Sequence, residues 1–160
     1  MSTFSPDDTH FFHFIQAQKA LVLVAPIVAD CIKLYQQVQE HKPDAESAPY
    51  YQELAKRYQT ELSQIGCRLR DPALGTVEFP TRYQDRVVAL SWQFGEKKIS
   101  YWHELQPDFV VRKKITPSFL SEIVLALHQH NVPTIGKSVS AKHYPPKQLT
   151  SSFLYLKPSY

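Results

Sequence analysis

Trp102, His103 and Glu104 stand side by side, and with Glu78, Trp92 and Arg112 they form the chain's densest collection of groups able to do chemistry. Two carboxylates can share one proton or hold a divalent cation, and an imidazole beside them can move a proton or complete a ligand set. Glu78, His103 and Glu104 are therefore the metal candidates, and Trp92, Trp102 and Arg112 complete a candidate ligand-binding set. Adjacent strand residues point to opposite faces, so His103 and Glu104 serve one pocket only across a bulge or a subunit boundary. That alternation pairs Glu78 with Glu104 and leaves His103 in the core or offered by a second subunit. A plainer assignment has His103 bonded to a backbone carbonyl and Glu104 paired with Arg86 or Arg112.

Other reactive residues are sparser. His10 and His13 have the spacing of a helical metal pair but precede the confident helix start, which favours surface histidines. His128 and His130 end a helix, where an imidazolium complements the dipole. Cys31 and Cys67 lack the paired spacing of a zinc site. With four glycines in 160 residues there is no phosphate loop, dinucleotide fingerprint or nucleophile elbow. Tyr144, Phe153, Tyr155 and Tyr160, interleaved with lysines, are of the types that stack on single-stranded bases, although such tails more often dock on protein.

Elements must position these groups. Ala17, Leu21, Val24, Val28, Cys31, Tyr35 and Val38 recur at helical spacing between about Phe14 and Gln39, with Pro26 expected to kink or divide the helix. Leu23, Ile27, Ile32 and Leu34 widen the stripe beyond what one neighbour covers, which points to a second partner such as another subunit. After a loop, Ser47 as N-cap and Pro49 in the first turn open a second helix. That helix shows Tyr51, Leu54, Tyr58, Leu62 and Ile65 on one face and ends at Gly66. Two helices on a short loop form an antiparallel hairpin.

Beyond Gly66 the period becomes alternating. Strands are expected at Cys67 to Arg70, at Thr76 to Phe79 before Pro80, at Arg86 to Phe94 and at Ile99 to Leu105. An even-length turn around Gly95 places Trp92 opposite Tyr101 and Leu90 opposite His103; a slip of one residue reverses the faces. Thr116 and Pro117 start a third helix that runs to His130, with Asn131 as its cap. The fold class is α+β: a helical hairpin, then a small antiparallel sheet, then a C-terminal helix and an irregular tail. Residues 1–115 read as one domain and 116–160 as an extension.

The blocks Gly75-Thr76-Val77-Glu78-Phe79-Pro80, Leu90-Ser91-Trp92, Gly95-Glu96, Trp102-His103-Glu104 and Asp108-Phe109-Val110-Val111-Arg112 follow Asp71 in order. Phe12 to Ala17, Leu21 to Val24 and Pro26 to Asp30 precede them. In this order they resemble an uncharacterised bacterial family, domain of unknown function 2203, over Phe11 to Ile115. The family pattern has Thr at His13, Asp at Glu78, Cys at Ser91, and glycines at Asp108 and Val111, so this chain resembles a divergent member. The resemblance implies a fold and a set of suspect residues, and no reaction or cofactor.

The net charge is +3. From Thr116 onward Lys137, Lys142, Lys147 and Lys157 face Glu122 alone, which reads first as a soluble tail and only thinly as a nucleic-acid contact. Few cysteines, no signal-peptide layout in Met1 to Thr9, and an apolar run from Ala20 to Ala29 too short to span a bilayer give the expectation of a cytoplasmic protein. The leading expectation is an oligomeric binding or adaptor module, most simply a homodimer, taking a small ligand or a protein partner. A metal-assisted hydrolase or isomerase using Glu78, Glu104 and His103 is the alternative, and a weak single-stranded nucleic-acid binder is third.

Overall fold

The computed structural model describes residues 10–105 and 111–130. The expectations for the leader, for Asp108 to Val110, for Asn131 and for the lysine- and tyrosine-bearing tail lie outside them. Two helices, α1 (Phe14–His41) and α2 (Ala48–Ile65), precede β1 (Arg68–Asp71), β2 (Thr76–Tyr83), β3 (Arg86–Gln93), β4 (Tyr101–Glu104) and β5 (Lys113–Lys114). Helix α3 (Pro117–His130) follows. The strands form one antiparallel sheet in sequence order, an open meander on an α+β plan.

α1 buries Ala17, Leu21, Val24, Val28, Cys31, Leu34 and Val38, so the inner stripe passes through Leu34 where the sequence pattern favours Tyr35. The expected division at Pro26 does not occur: α1 runs continuously through it. Pro26 removes the donor that the Val22 carbonyl would use. Both residues lie on the exposed side, where water can supply the missing bond. Gln16 closes the start of the helix, its Oε1 accepting the His13 N–H at 3.1 Å.

Helix α2 ends at Gly66, φ +100°, whose N–H reaches the Leu62 and Ser63 carbonyls. Ser47 holds the cap position without capping; its hydroxyl donates to Asp44 at 2.6 Å. The anionic Asp44 accepts from the Ser47 N–H as well, which fixes the loop and leaves no oxygen turned toward the helix. Thr116 does cap α3, its Oγ1 accepting the Phe119 N–H at 3.3 Å.

Strand β2 continues through Pro80, where the sequence predicts an end. The Pro80 carbonyl accepts the Phe12 N–H at 2.8 Å, on the side away from β3. A strand residue's N–H and C=O point the same way, so the missing donor also faces away from β3 and no ladder bond is lost. Gln84 (φ +49°) and Asp85 (φ +57°) then form the two-residue turn into β3. Positive φ at both positions matches the twist of a hairpin.

The β3–β4 register differs from the even-turn expectation by one residue. Ser91 faces Tyr101, Leu90 faces Trp102, Ala89 faces His103 and Val88 faces Glu104. The connection is odd, residues 94–100, because Phe94 stays bonded to the Gly75 carbonyl at 3.0 Å and the Ile99 N–H is drawn to Gln18 Oε1 on α1 at 2.6 Å. One sheet face carries Val77, Phe79, Val88, Leu90, Trp92 and Trp102, and these join the buried α1 stripe with Leu62, Phe119 and Ile123 in a single core.

At Gly75 the chain passes close against α1. An added Cβ would meet Ile32 Cδ1 at 2.7 Å and Val28 Cγ1 at 2.9 Å, at a φ of +65°. Gly95 has φ +95° and nothing within 4 Å. Gly75→Ala should therefore combine overpacking with backbone strain and cost about 3 kcal/mol, and Gly95→Ala should carry strain alone, about 1 kcal/mol. Urea unfolding of both variants checks the difference; equal losses would mean that the α1 contact does not limit this turn.

Candidate functional site

The register that puts both tryptophans in the core turns Glu78, Ser91, Tyr101 and His103 to the opposite face. Across from Glu78 on β1 stands Arg68. Arg68 Nε donates to Glu78 Oε2 at 2.7 Å, and its Nη2 donates to the same oxygen. Arg70 donates to Oε1 at 2.9 Å, and His103 Nε2 lies 3.1 Å from Oε1. Glu78 is fully buried and His103 is 1% exposed, while Arg68 and Arg70 reach the surface.

The imidazole is held through its other nitrogen, Nδ1 lying 2.9 Å from the Glu104 carbonyl. This fixes the ring so that Nε2, although close to Glu78, lies off the line of a hydrogen bond and has no in-line partner. Burial alone would raise the Glu78 carboxyl, but the His103 imidazole and the Arg68 guanidinium outweigh it and hold the group at about 2. A buried carboxylate is thereby kept ionised between cations.

A second cluster adjoins the first through Ser91. Arg112 donates to both Glu96 oxygens, at 2.9 and 2.8 Å, and to Ser91 Oγ at 3.1 Å. Its guanidinium lies 4.4 Å from the Tyr101 ring centroid. Burial works to raise the Glu96 carboxyl, and the Arg112 bonds lower it more. Trp92 contributes from the other side only through its indole N–H, which donates to the Glu96 carbonyl at 2.9 Å.

The sequence-predicted set therefore divides. Glu78, His103 and Arg112 share one face. Trp92 and Trp102 belong to the core, Trp102 stacking on Phe119 at 4.6 Å. Glu104 points away from Glu78, bound to Arg86 at 2.9 Å and Lys113 at 3.2 Å. The expected Glu78–Glu104 pair is corrected by the one-residue register shift, which also brings His103 to Glu78. Among the described residues no three His, Cys, Asp or Glu side chains are grouped to hold a metal ion.

Arg68, Arg70, Ser91 and Glu96 are members of the polar face that the site reading missed. Arg68 and Arg70 flank buried Leu69 in β1, an alternation that marks two like-facing cations without naming the carboxylate they serve. Both cysteines are buried and free; burial, with Asp30 and Glu61 nearby, pushes the Cys31 thiol up to about 12, and burial pushes Cys67 up to about 12. Neither is poised as a nucleophile.

Residues 10–115 match the model of a family described as an uncharacterized conserved protein (DUF2203). No curated protein and no solved structure matches the chain.

Removing the Glu78 charge would leave Arg68 and Arg70 facing an uncharged buried partner. Glu78→Gln should cost about 3–5 kcal/mol at pH 7, and Glu104→Gln, at a wetter rim, less than about 1 kcal/mol. Because the Glu78 carboxyl is lowered from 4.5 to about 2, its contribution is complete above pH 4.5 and lost as pH falls toward 2. Urea midpoints between pH 2 and 6 should fall with acid in the native chain and lose most of that slope in Glu78→Gln. An unchanged slope would show that other groups carry the acid sensitivity.

Proposed function

As the chain belongs to the DUF2203 family, whose description assigns no activity, we propose from its own geometry that it is a cytoplasmic binding or adaptor module that self-associates through α1. The observation that carries this is the outer face of that helix, where Ile15 is 63%, Val22 79% and Leu23 63% exposed. The most apolar 18-residue window of α1 has a mean hydropathy of 1.5, yet only 28% of it is buried. Helix α3 does not relieve this exposure, because its Phe119 packs on Trp102 and Tyr83.

Each Val, Leu or Ile side chain taken fully out of water contributes about 1.5–3 kcal/mol. Drying the Val22 carbonyl, which Pro26 leaves without a helix donor, costs about 1–3 kcal/mol. Three such side chains per copy outweigh one carbonyl, so pairing is favoured. The polar face adds little to this reading, because Arg68 and Arg70 are engaged by Glu78 and Arg112 by Glu96.

Metal-assisted hydrolysis or isomerisation is less well supported. It needs Glu78, His103 and Glu104 together, and the Glu78 oxygens are already engaged by Arg68 and Arg70 while Glu104 lies on the other face. By length and composition α1 could also cross a bilayer. Insertion would draw its inner stripe out of the core it shares with the sheet.

Light scattering on the full chain at micromolar concentration should report a dimer. Leu23→Glu and Val22→Glu should each raise the dissociation constant by about 100-fold or more without changing the urea midpoint of the monomer. A monomer at all concentrations, or sedimentation of the native chain with anionic or neutral lipid vesicles, would overturn self-association as the role of this face.

A further inference from the structure

The outer face of α1 carries an order of charges as well as apolar bulk. Ile15, Lys19, Val22, Leu23, Pro26, Asp30 and Lys33 are all exposed. At about 100° per residue they fall on one stripe, opposite Ala17, Leu21, Val24 and Val28, which are buried. Lys19 lies toward the N-terminal side of the apolar patch and Asp30 beyond its C-terminal side. Lys19 makes no ion pair among the described residues, and Asp30 has only a 3.4 Å contact with Lys33, both side chains at least half exposed.

The face thus carries a lone cation, Lys19, on one side of the patch and an Asp30–Lys33 pair on the other, and it can pair with itself in two directions. In a parallel pair Lys19 meets Lys19, Asp30 meets Asp30 and Lys33 meets Lys33, and like charges oppose association. In an antiparallel pair each Lys19 meets the other copy's Asp30 at its own level, and Lys33 lies three residues further on. The level at which both pairs form at once lies midway between Val24 and Ala25. At that level Leu23 falls opposite Pro26, so the centre of the apolar patch closes on itself. The inner stripe faces the other way, and both sheets lie outside the helix pair.

Resting on the self-association proposed above, we infer that α1 docks on α1 of a second copy in antiparallel direction, about a two-fold axis at the level of Val24 and Ala25. The interface is isologous: one patch serves both copies, and each Lys19–Asp30 contact appears twice. Direction and register are set by the charges, and the affinity by Val22, Leu23 and their neighbours.

Charge reversal and cross-linking test this in the full chain. Lys19→Glu and Asp30→Lys should each weaken the dimer, by about 5- to 20-fold at low salt, and the double variant should return to within about 2-fold of the native constant. In an antiparallel pair centred at this level, two copies of residue 23 are about 4.5 Å apart along the axis and two copies of residue 15 about 28 Å apart. Leu23→Cys should therefore form a disulfide-linked dimer under mild oxidation and Ile15→Cys should not, the two native thiols being buried. Additive losses in the double variant, or equal cross-linking at both positions, would overturn the antiparallel register while leaving self-association standing. A native chain that is monomeric at every concentration would overturn both.

Discussion

Glu78 sits between Arg68 on β1 and Ser91 on β3 with no exposure to solvent. A charge so placed is tolerable only when its oxygens are matched by donors, and two guanidinium groups donate to it while an imidazole lies beside it. That requirement ties three strands together. β1 must be in register to bring up Arg68 and Arg70, and β4 must be in register to bring His103 beneath them. Shifting either strand by one residue would put an apolar side chain against the carboxylate and a polar one into the core.

The opposite face meets the complementary demand. Val77, Phe79, Leu90 and Trp92 fill the space under α1, and Gly75 lets the chain turn against Val28 and Ile32 where a side chain has no room. Each strand thus serves two chemistries at once, one per face. α1 also has two faces, an inner stripe committed to this core and an outer stripe that the described residues leave exposed. The polar cluster is engaged within the sheet, whereas the outer face of the helix is open to solvent.

Much of this was legible in the residues themselves. Helical spacing located α1 and α2, Gly66 marked the end of the hairpin, Thr116 and Pro117 marked the start of α3, and alternation announced the sheet. These are local properties: periodicity, capping geometry and turn chemistry act within a few residues and need no partner. Family blocks likewise contained Glu78, Ser91, Glu96, His103 and Arg112, all of which meet on one face.

Which of those residues would meet was decided by tertiary structure. Face assignment depends on the parity of the β3–β4 connection, and that parity follows from long-range bonds, Gly75 to Phe94 and Gln18 to Ile99. No local pattern encodes them. The same holds at Pro80, tolerated because Phe12 approaches from outside the strand, and at Pro26, tolerated because its side of α1 is exposed. Sequence alone located the three helices and the first four strands with their reactive residue types, but not β5 or the full length of β2; the fold determined that Glu78 belongs with His103 and two arginines and that Glu104 does not. The physical reason is that side-chain direction in a strand has a period of two, so a single residue of register moves every group to the other face.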